Sequence, residues 1–361
     1  MLKEKIAAFR EKHETKLDII FFIGGFVFDA WMVAAPDELF SIFQQIVYLV
    51  LIAAFIHFEI LYRLMKWRPG PAVAKVWPYR NLALHFLLGT LLNVYSIFYI
   101  KSASVFSSVI FLILMLGIIL ANELPFVKKA NLGMKVALHA ICLFSFLSIV
   151  YPIAFGFVGL FPFGCAVATT VAFYYLQFRF LNKAIQEHHI LYRAIFAPAV
   201  SVIAVFALFY FLGWIPPVPL SVKEQGVYHM IEKKDGKYFL SYEEAERHFW
   251  QRTNSIFRGE SGDKIYFYAQ IYSPARISDQ VIVHWFQKDK KGNWISTDKV
   301  PLKIQGGREE GFRGYAYKSN YTEGQWKIVV ETSSGIEISR LYFDISLVEK
   351  DPNRVFITEE K

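Results

Sequence analysis

Seven ionisable side chains stand within, or at the ends of, long apolar stretches: Asp18, Asp29, His57, Glu59, His85, Glu123 and His139. Charged groups at membrane depth are costly and face a partner or a cavity. Grouped, they would suit a proton relay, a metal ion or a lipid headgroup. Alternatively, they snorkel to the headgroups and pair with nearby basic loops. Asp18 and Asp29 are eleven residues apart, which on a helix puts them within roughly 20° of one another. Asp29 lies too deep to snorkel easily, so it is expected to have a partner, with His85 or Asn93 the candidates in kind. His188 and His189 are adjacent, and neighbours on a helix cannot chelate one ion from one face. No HExxH, CxxC, phosphate loop or nucleophile elbow occurs, so neither a metal site, a cofactor nor a catalytic residue is expected.

A second set of candidates lies in the hydrophilic third of the chain. Residues 265–272 (IYFYAQIY) alternate, with Ile265, Phe267, Ala269 and Ile271 on one face and Tyr266, Tyr268 and Tyr272 on the other. In 312–318, Arg313, Tyr315 and Tyr317 share a face. If these strands are neighbours, Tyr266, Tyr268, Tyr315 and Tyr317 with Arg313 would form an exposed platform for a sugar ring or a protein. In the alternative, the tyrosines cover the second side of a small sandwich and pack under loops. Arg308 and Arg313 suit a carboxylate or a phosphate, or surface ion pairs.

The elements that must position these groups follow from composition. Of 361 residues, 55% are hydrophobic and 19% charged, against about 25% charged in ordinary soluble domains. Apolar segments at about 17–35, 40–62, 81–100, 103–122, 134–154, 157–180 and 193–214 each approach the ~20 residues of a spanning helix. This predicts a seven-span helical membrane bundle over 17–214, behind a basic tail at 1–16. Ala34 and Ala35 would suit a signal peptidase, but Asp29 interrupts the first apolar run, which reads as an uncleaved helix.

Residues 1–220 carry 17 Lys and Arg against 10 Asp and Glu, whereas 221–361 are nearly balanced. The excess basicity is a topology signal, so no nucleic-acid partner is expected. Sixteen of the 17 fall in the N-terminal tail or in alternate loops, and the opposite loops hold only Lys101. This split places the N-terminus in the cytoplasm and, with seven spans, everything after Trp214 outside. Parity turns on 151–164, read as a tight turn at the outer face because Pro152, Gly156, Gly159, Pro162 and Gly164 interrupt it.

Residues 215–224 read as a stiff linker. Beyond it, period-two runs at 226–232, 238–242, 265–272, 281–287, 326–332 and 336–347 alternate with turn signals. They predict an all-β, sandwich-like domain over 225–349. It holds no cysteine and must rest on its own core. Residues 242–251 would suit a helical insert, and 350–361 a loose polar tail.

The C-terminal third resembles the bacterial domain of unknown function 2914. The likeness rests on the order of VIVHW at 281–285, Trp294, Gly307-Arg308, GFRG at 311–314, GQWKIVV at 324–330, and Gly335, across about 225–347. The family often has a tryptophan where this chain has Phe312. The resemblance implies a small extracytoplasmic β domain behind a multi-span region, and brings no reaction with it. The expected protein is therefore a multi-pass protein of the bacterial inner membrane, its partners the lipid bilayer and an envelope glycan, lipid headgroup or protein bound non-enzymatically by the β domain. The alternative is a membrane-embedded transporter or enzyme acting on a lipid or envelope precursor through the ionisable groups of the apolar stretches, read as a polar cluster in the inner leaflet.

Overall fold

A computed structural model describes residues 36–103, 108–123, 132–243, 256–273, 280–303, 311–350 and 354–361. The chain divides into two units, one helical and one built mainly of strands.

The helical unit contains α1 (Leu39–Arg63), α2 (Pro71–Val76), a 3-10 turn (Trp77–Tyr79), α3 (Arg80–Ser102), α4 (Val109–Glu123), α5 (Leu132–Phe155), α6 (Leu160–Ile185), α7 (His188–Leu191) and α8 (Ala197–Phe211). Five helical runs are long and apolar enough to cross a membrane: α1, α2 through α3, α5, α6, and α7 through α8. The apolar helix α4 is shorter. The segment expected at 17–35 lies outside the described residues, as does the basic tail.

Helices α3 and α5 are central. Of their most apolar stretches 61% and 67% is buried, against 22–28% for the other three runs. Helix α5 stops where Gly156 takes a positive φ of 82° and its N–H bonds the Pro152 carbonyl, a glycine cap. Thus 151–164 holds a break between two helices. A π turn at Tyr192–Phe196 precedes α8; Pro198 has no N–H to continue the regular ladder.

The second unit contains β1 (Ser221–Tyr228), β2 (Met230–Lys234), β3 (Lys237–Glu243), β4 (Ile256–Gly259), β5 (Ile265–Tyr272), β6 (Gln280–Lys288), β7 (Trp294–Lys303), β8 (Phe312–Lys318), β9 (Gly324–Thr332), β10 (Glu337–Leu347) and β11 (Phe356–Glu360). They form three sheets, ordered β1-β5-β8, β4-β10-β9-β6-β7 and β11-β3-β2. One core joins the first two, with Phe267 and Ile271 of β5 packed with Val283 and Trp285 of β6, Trp326 and Ile328 of β9 and Phe343 of β10. Ile265, Phe267, Ala269 and Ile271 all lie in it, as alternation predicted. The third sheet packs on the other face of β5, where Tyr228, Ile231, Tyr238, Leu240 and Tyr268 form a smaller cluster.

The turn between α5 and α6 belongs to this unit. Val158 sits in its core, and its carbonyl accepts a hydrogen bond from Ser334 Oγ at 3.2 Å.

Three details differ from the sequence reading. The single run expected at 226–232 is two strands, β1 and β2, which leave one sheet for another at His229. The expected linker 215–224 already contains the start of β1, and its Leu220 is in the core. Residues 350–361, read as a loose tail, carry β11, paired antiparallel with β3 from Phe356 opposite Glu243 to Glu360 opposite Phe239. Backbone pairing holds this polar strand, helped by Lys361 bonded to Glu224 and Glu359 at 2.8 and 2.7 Å. The possible helical insert at 242–251 falls almost wholly outside the described residues.

Candidate functional site

The polar residues of the helices separate into two groups. Glu59, near the end of α1, is fully buried. Its Oε2 accepts a hydrogen bond from Lys135 Nζ of α5 at 2.8 Å, and its Oε1 accepts from Arg63 one turn on at 3.0 and 2.5 Å. Lys135 Nζ also donates to Asn81 Oδ1 of α3 at 2.8 Å. Three helices are tied together by charge-assisted bonds, as a buried charge requires.

His139, one turn along α5, has separate partners. Its Nε2 lies 3.1 Å from the Leu49 carbonyl and its Nδ1 2.6 Å from the Tyr174 hydroxyl. The carbonyl can only accept, so Nε2 donates to it, while Nδ1 and the Tyr174 hydroxyl share a hydrogen bond; that hydroxyl also lies 3.4 Å from the Val136 carbonyl.

His57 is half-buried against Phe58 and Phe180. His85 is half-buried on α3. Glu123 ends α4, and its side chain lies outside the described set, as do Asp18 and Asp29 and the expected pairing of Asp29. Among the described residues no three His, Cys, Asp or Glu side chains are grouped to hold a metal ion. Lys135 is one of the 16 basic residues counted as topology charges, and Asn81 and Tyr174 carry no signal in the sequence. Each is an unremarkable residue type until helix packing brings it to a charge or a histidine.

In the β unit, β5 and β8 are neighbours, with Tyr266 opposite Tyr317, Tyr268 opposite Tyr315 and Gln270 opposite Arg313. The third sheet divides the expected platform. Tyr268 is 0% exposed beneath it, whereas Tyr315 and Tyr317 are 37% and 55% exposed. Tyr266 lies near both, its ring 6.2 Å from Tyr315 and 5.8 Å from Tyr317. The Arg313 carbonyl accepts a hydrogen bond from Tyr238 at 3.0 Å. Arg308 lies outside the described residues.

A different aromatic surface covers the outer face of the five-stranded sheet. Trp294 of β7 and Tyr342 of β10 meet across the intervening strands with ring centroids 5.6 Å apart. Between them, Lys327 of β9 places Nζ 4.8 Å from the Trp294 centroid and 4.4 Å from that of Phe286. Lys288 Nζ lies 5.8 Å over Trp294 and donates to Gln325 at 2.8 Å. Arg340 fixes Tyr342 by donating to its hydroxyl at 2.9 Å, while Glu337 grips the same guanidinium at 2.8 and 2.7 Å. The Glu337 carboxylate raises the Arg340 pKa further. Burial pushes the Lys327 ammonium below its ordinary value, and the nearby Arg340 charge adds to this.

Lys288, Trp294, Gln325, Tyr342 and Asp344, with Trp326 and Phe343 at its floor, line a cleft of about 380 Å³. Two rings flanked by an amine, an amide and a carboxylate present apolar faces beside hydrogen-bonding edges. That combination suits a sugar, whose C–H face stacks while its hydroxyls bond. In the sequence, Trp294 stands out only as one member of the ordered motif set. Its partners come from strands distant in sequence and had no local signal.

Beside this face, His284 of the VIVHW strand is buried, its Nε2 2.7 Å from Ser296 Oγ and its Nδ1 3.4 Å from Glu331. Burial lowers its pKa, and Glu331 opposes that shift.

Residues 278–345 match the family described as Protein of unknown function (DUF2914). The match covers β6 through most of β10 and hence most of this face. No curated protein matches the chain. Among solved structures, an immunoglobulin-like protein from Pseudomonas aeruginosa aligns at 10% identity, over 36% of this chain and 98% of that one, with a TM-score of 0.22. A β-glucosidase from Listeria innocua in complex with glucose aligns at 9% identity, over 30% of this chain, with a TM-score of 0.19; the chain spans only 16% of that enzyme. An alkylpurine DNA glycosylase from Pseudomonas fluorescens bound to DNA aligns at 11% identity, over 87% of this chain and 99% of that one, with a TM-score of 0.23. Likenesses this slight carry no argument about fold or activity.

Proposed function

We propose that this is a multi-pass envelope protein of the bacterial inner membrane whose sandwich-like β domain lies outside and binds a glycan without transforming it. The observation that carries the reading is the Trp294–Tyr342 cleft, two rings held 5.6 Å apart beside Lys288, Gln325 and Asp344. The Lys/Arg asymmetry supports the orientation, with the seven spans made up of the five long helical runs, α4 and the segment at 17–35. The turn between α5 and α6 belongs to the same unit as the strands, so a topology with this turn outside carries the β domain outside as well.

The transporter or enzyme alternative draws less support. The strongest membrane cluster, Glu59 with Lys135, Arg63 and Asn81, is bonded internally in the manner of a structural tie.

Co-sedimentation of the detergent-solubilised full chain with purified peptidoglycan sacculi tests the reading. The wild-type chain is expected to pellet with sacculi, and Trp294→Ala to stay in the supernatant. Equal pelleting of both would remove the cleft from the account.

A further inference from the structure

The helical unit holds a second cleft, of about 460 Å³, between α1 and the α2–α3 run. Its walls include Leu51, Phe55 and Phe58 on one side and Trp77 and Arg80 on the other, with Trp67 beside them. Volumes of this order are typical of small-molecule sites. The wall is apolar except at one end, where Trp67 and Trp77 meet at 5.1 Å and the Arg80 guanidinium lies 5.0 Å from the Trp77 centroid and 5.7 Å from that of Tyr62.

Among the described residues, two buried donors at that end lack an acceptor: Trp77 Nε1–H and Arg80 Nε–H. Buried polar groups are nearly always paired, and both of these can only donate, so the missing partner presents oxygen acceptors. Arg80 donates from Nη1 to the Trp77 carbonyl at 3.1 Å. Among the described residues it forms no salt bridge, and neither do Lys66, Arg68 and Lys75, all exposed nearby in sequence. The missing partner is therefore anionic, as in arginine recognition of phosphate.

The cleft's reach identifies the rest of the ligand. Leu51 lies twelve residues along α1 from Arg63, or about 18 Å, close to the hydrocarbon depth of one leaflet at about 15 Å. A group with a phosphate at the helix ends and an apolar body running one leaflet deep is a phospholipid. The unpaired positive charge favours one that is net negative.

We infer that the α1–α3 cleft holds an anionic phospholipid, its phosphate on Arg80 and Trp77 and an acyl chain along Phe55 and Leu51. The site lies wholly in the helical unit and is independent of the glycan cleft.

Native mass spectrometry of the full chain, released from detergent containing equimolar phosphatidylglycerol and phosphatidylcholine with identical acyl chains, tests this. The wild type is expected to retain one phosphatidylglycerol in preference to phosphatidylcholine. Arg80→Gln should lower that retention at least about fivefold, since charge-assisted bonds are lost. Trp77→Phe, which keeps a ring but drops the N–H, should lower it by a smaller factor, and Arg179→Gln on the exposed face of α6 should leave it unchanged. Equal retention of the two lipids by the wild type would overturn the proposal. So would retention unaffected by Trp77→Phe, a variant that keeps the aromatic packing should Arg80→Gln not fold. Displacement by water-soluble glycerol phosphate at matched concentration would overturn the assignment to a membrane lipid.

Discussion

Lys135 in the helical unit and Lys327 in the β unit are almost equally buried, at 7% and 8% exposure, yet their surroundings are opposite. Lys135 Nζ bonds a carboxylate and an amide from two other helices. Lys327 lies among the rings of Phe286 and Trp294 and forms no salt bridge among the described residues. A buried charge met by matched partners serves the fold, whereas one met by aromatic faces, with polar neighbours open to solvent, leaves a surface ready for a ligand. The difference follows from solvent. Hydrocarbon offers a charge no alternative partner, while the sheet face can leave its capacity to water until something replaces it.

Breaking the tie in the helices should have the largest effect. Lys135→Met leaves Glu59 buried with only Arg63 beside it, and breaking a buried pair costs about 3–5 kcal/mol. A much lower unfolding midpoint in detergent is expected, with most of the loss restored by the double variant Glu59→Met/Lys135→Met. If the double variant is no more stable than the single one, the loss does not come from stranding the Glu59 charge.

Next comes a backbone constraint in the β unit. Gly311 has φ 88°, and a Cβ there would stand 2.7 Å from the Ile271 carbonyl oxygen, with no flexible side chain able to yield. Gly311→Ala should destabilise the unit by about 2 kcal/mol, combining the left-handed conformation with the clash. This gives a physical reason for the first glycine of the GFRG run. A denaturation midpoint equal to the wild type would contradict it.

Lys327→Met sharpens the contrast directly. No carboxylate is stranded, so the cost should be about 1 kcal/mol or less, the scale of a cation–π contact. A loss as large as that of Lys135→Met would erase the distinction between the two lysines.

The smallest effect expected is a pH dependence. Burial lowers the pKa of both His284 and His229 below the ordinary 6.5. The unfolded chain therefore binds more protons below that value, and folding disfavours them. Stability of the β unit should be fully present above about pH 6.5 and decline as pH falls through the folded-state values. His284→Gln should flatten the decline, as read by urea midpoints between pH 7.5 and 5. An unchanged slope would mean that His284 does not titrate with folding.

Much of this fold was legible in the sequence where one side of an element faces a uniform solvent. IYFYAQIY at 265–272 gave the bounds and core face of β5, because its alternate residues meet the core. The long apolar runs likewise gave the helices, and breakers at 151–164 marked the end of α5. Edge strands were harder. β7 (WISTDKVPLK) is largely exposed and contains Pro301, which a sheet edge tolerates, so it shows little alternation. β11 (FITEE) is exposed throughout and identified only by its pairing with β3.

Site residues were less legible than elements. Glu59 and His139 stood out because charge in an apolar run is rare, but Lys135 looked like any loop lysine at a helix start. The Trp294–Tyr342 contact joins residues 48 positions apart on non-adjacent strands, and only sheet order brings them together.

If the aromatic cleft on the five-stranded sheet is the ligand surface, loss of binding should localise to its rings. Calorimetric titration of the full chain with soluble peptidoglycan fragments tests it most directly, comparing Trp294→Ala with Tyr317→Ala on the β5–β8 face. Removing an aromatic anchor costs 2 kcal/mol or more, roughly thirtyfold in affinity. Trp294→Ala should show that loss and Tyr317→Ala less than about twofold. Loss of binding in Tyr317→Ala with Trp294→Ala unaffected would contradict the account and return the site to the tyrosine face.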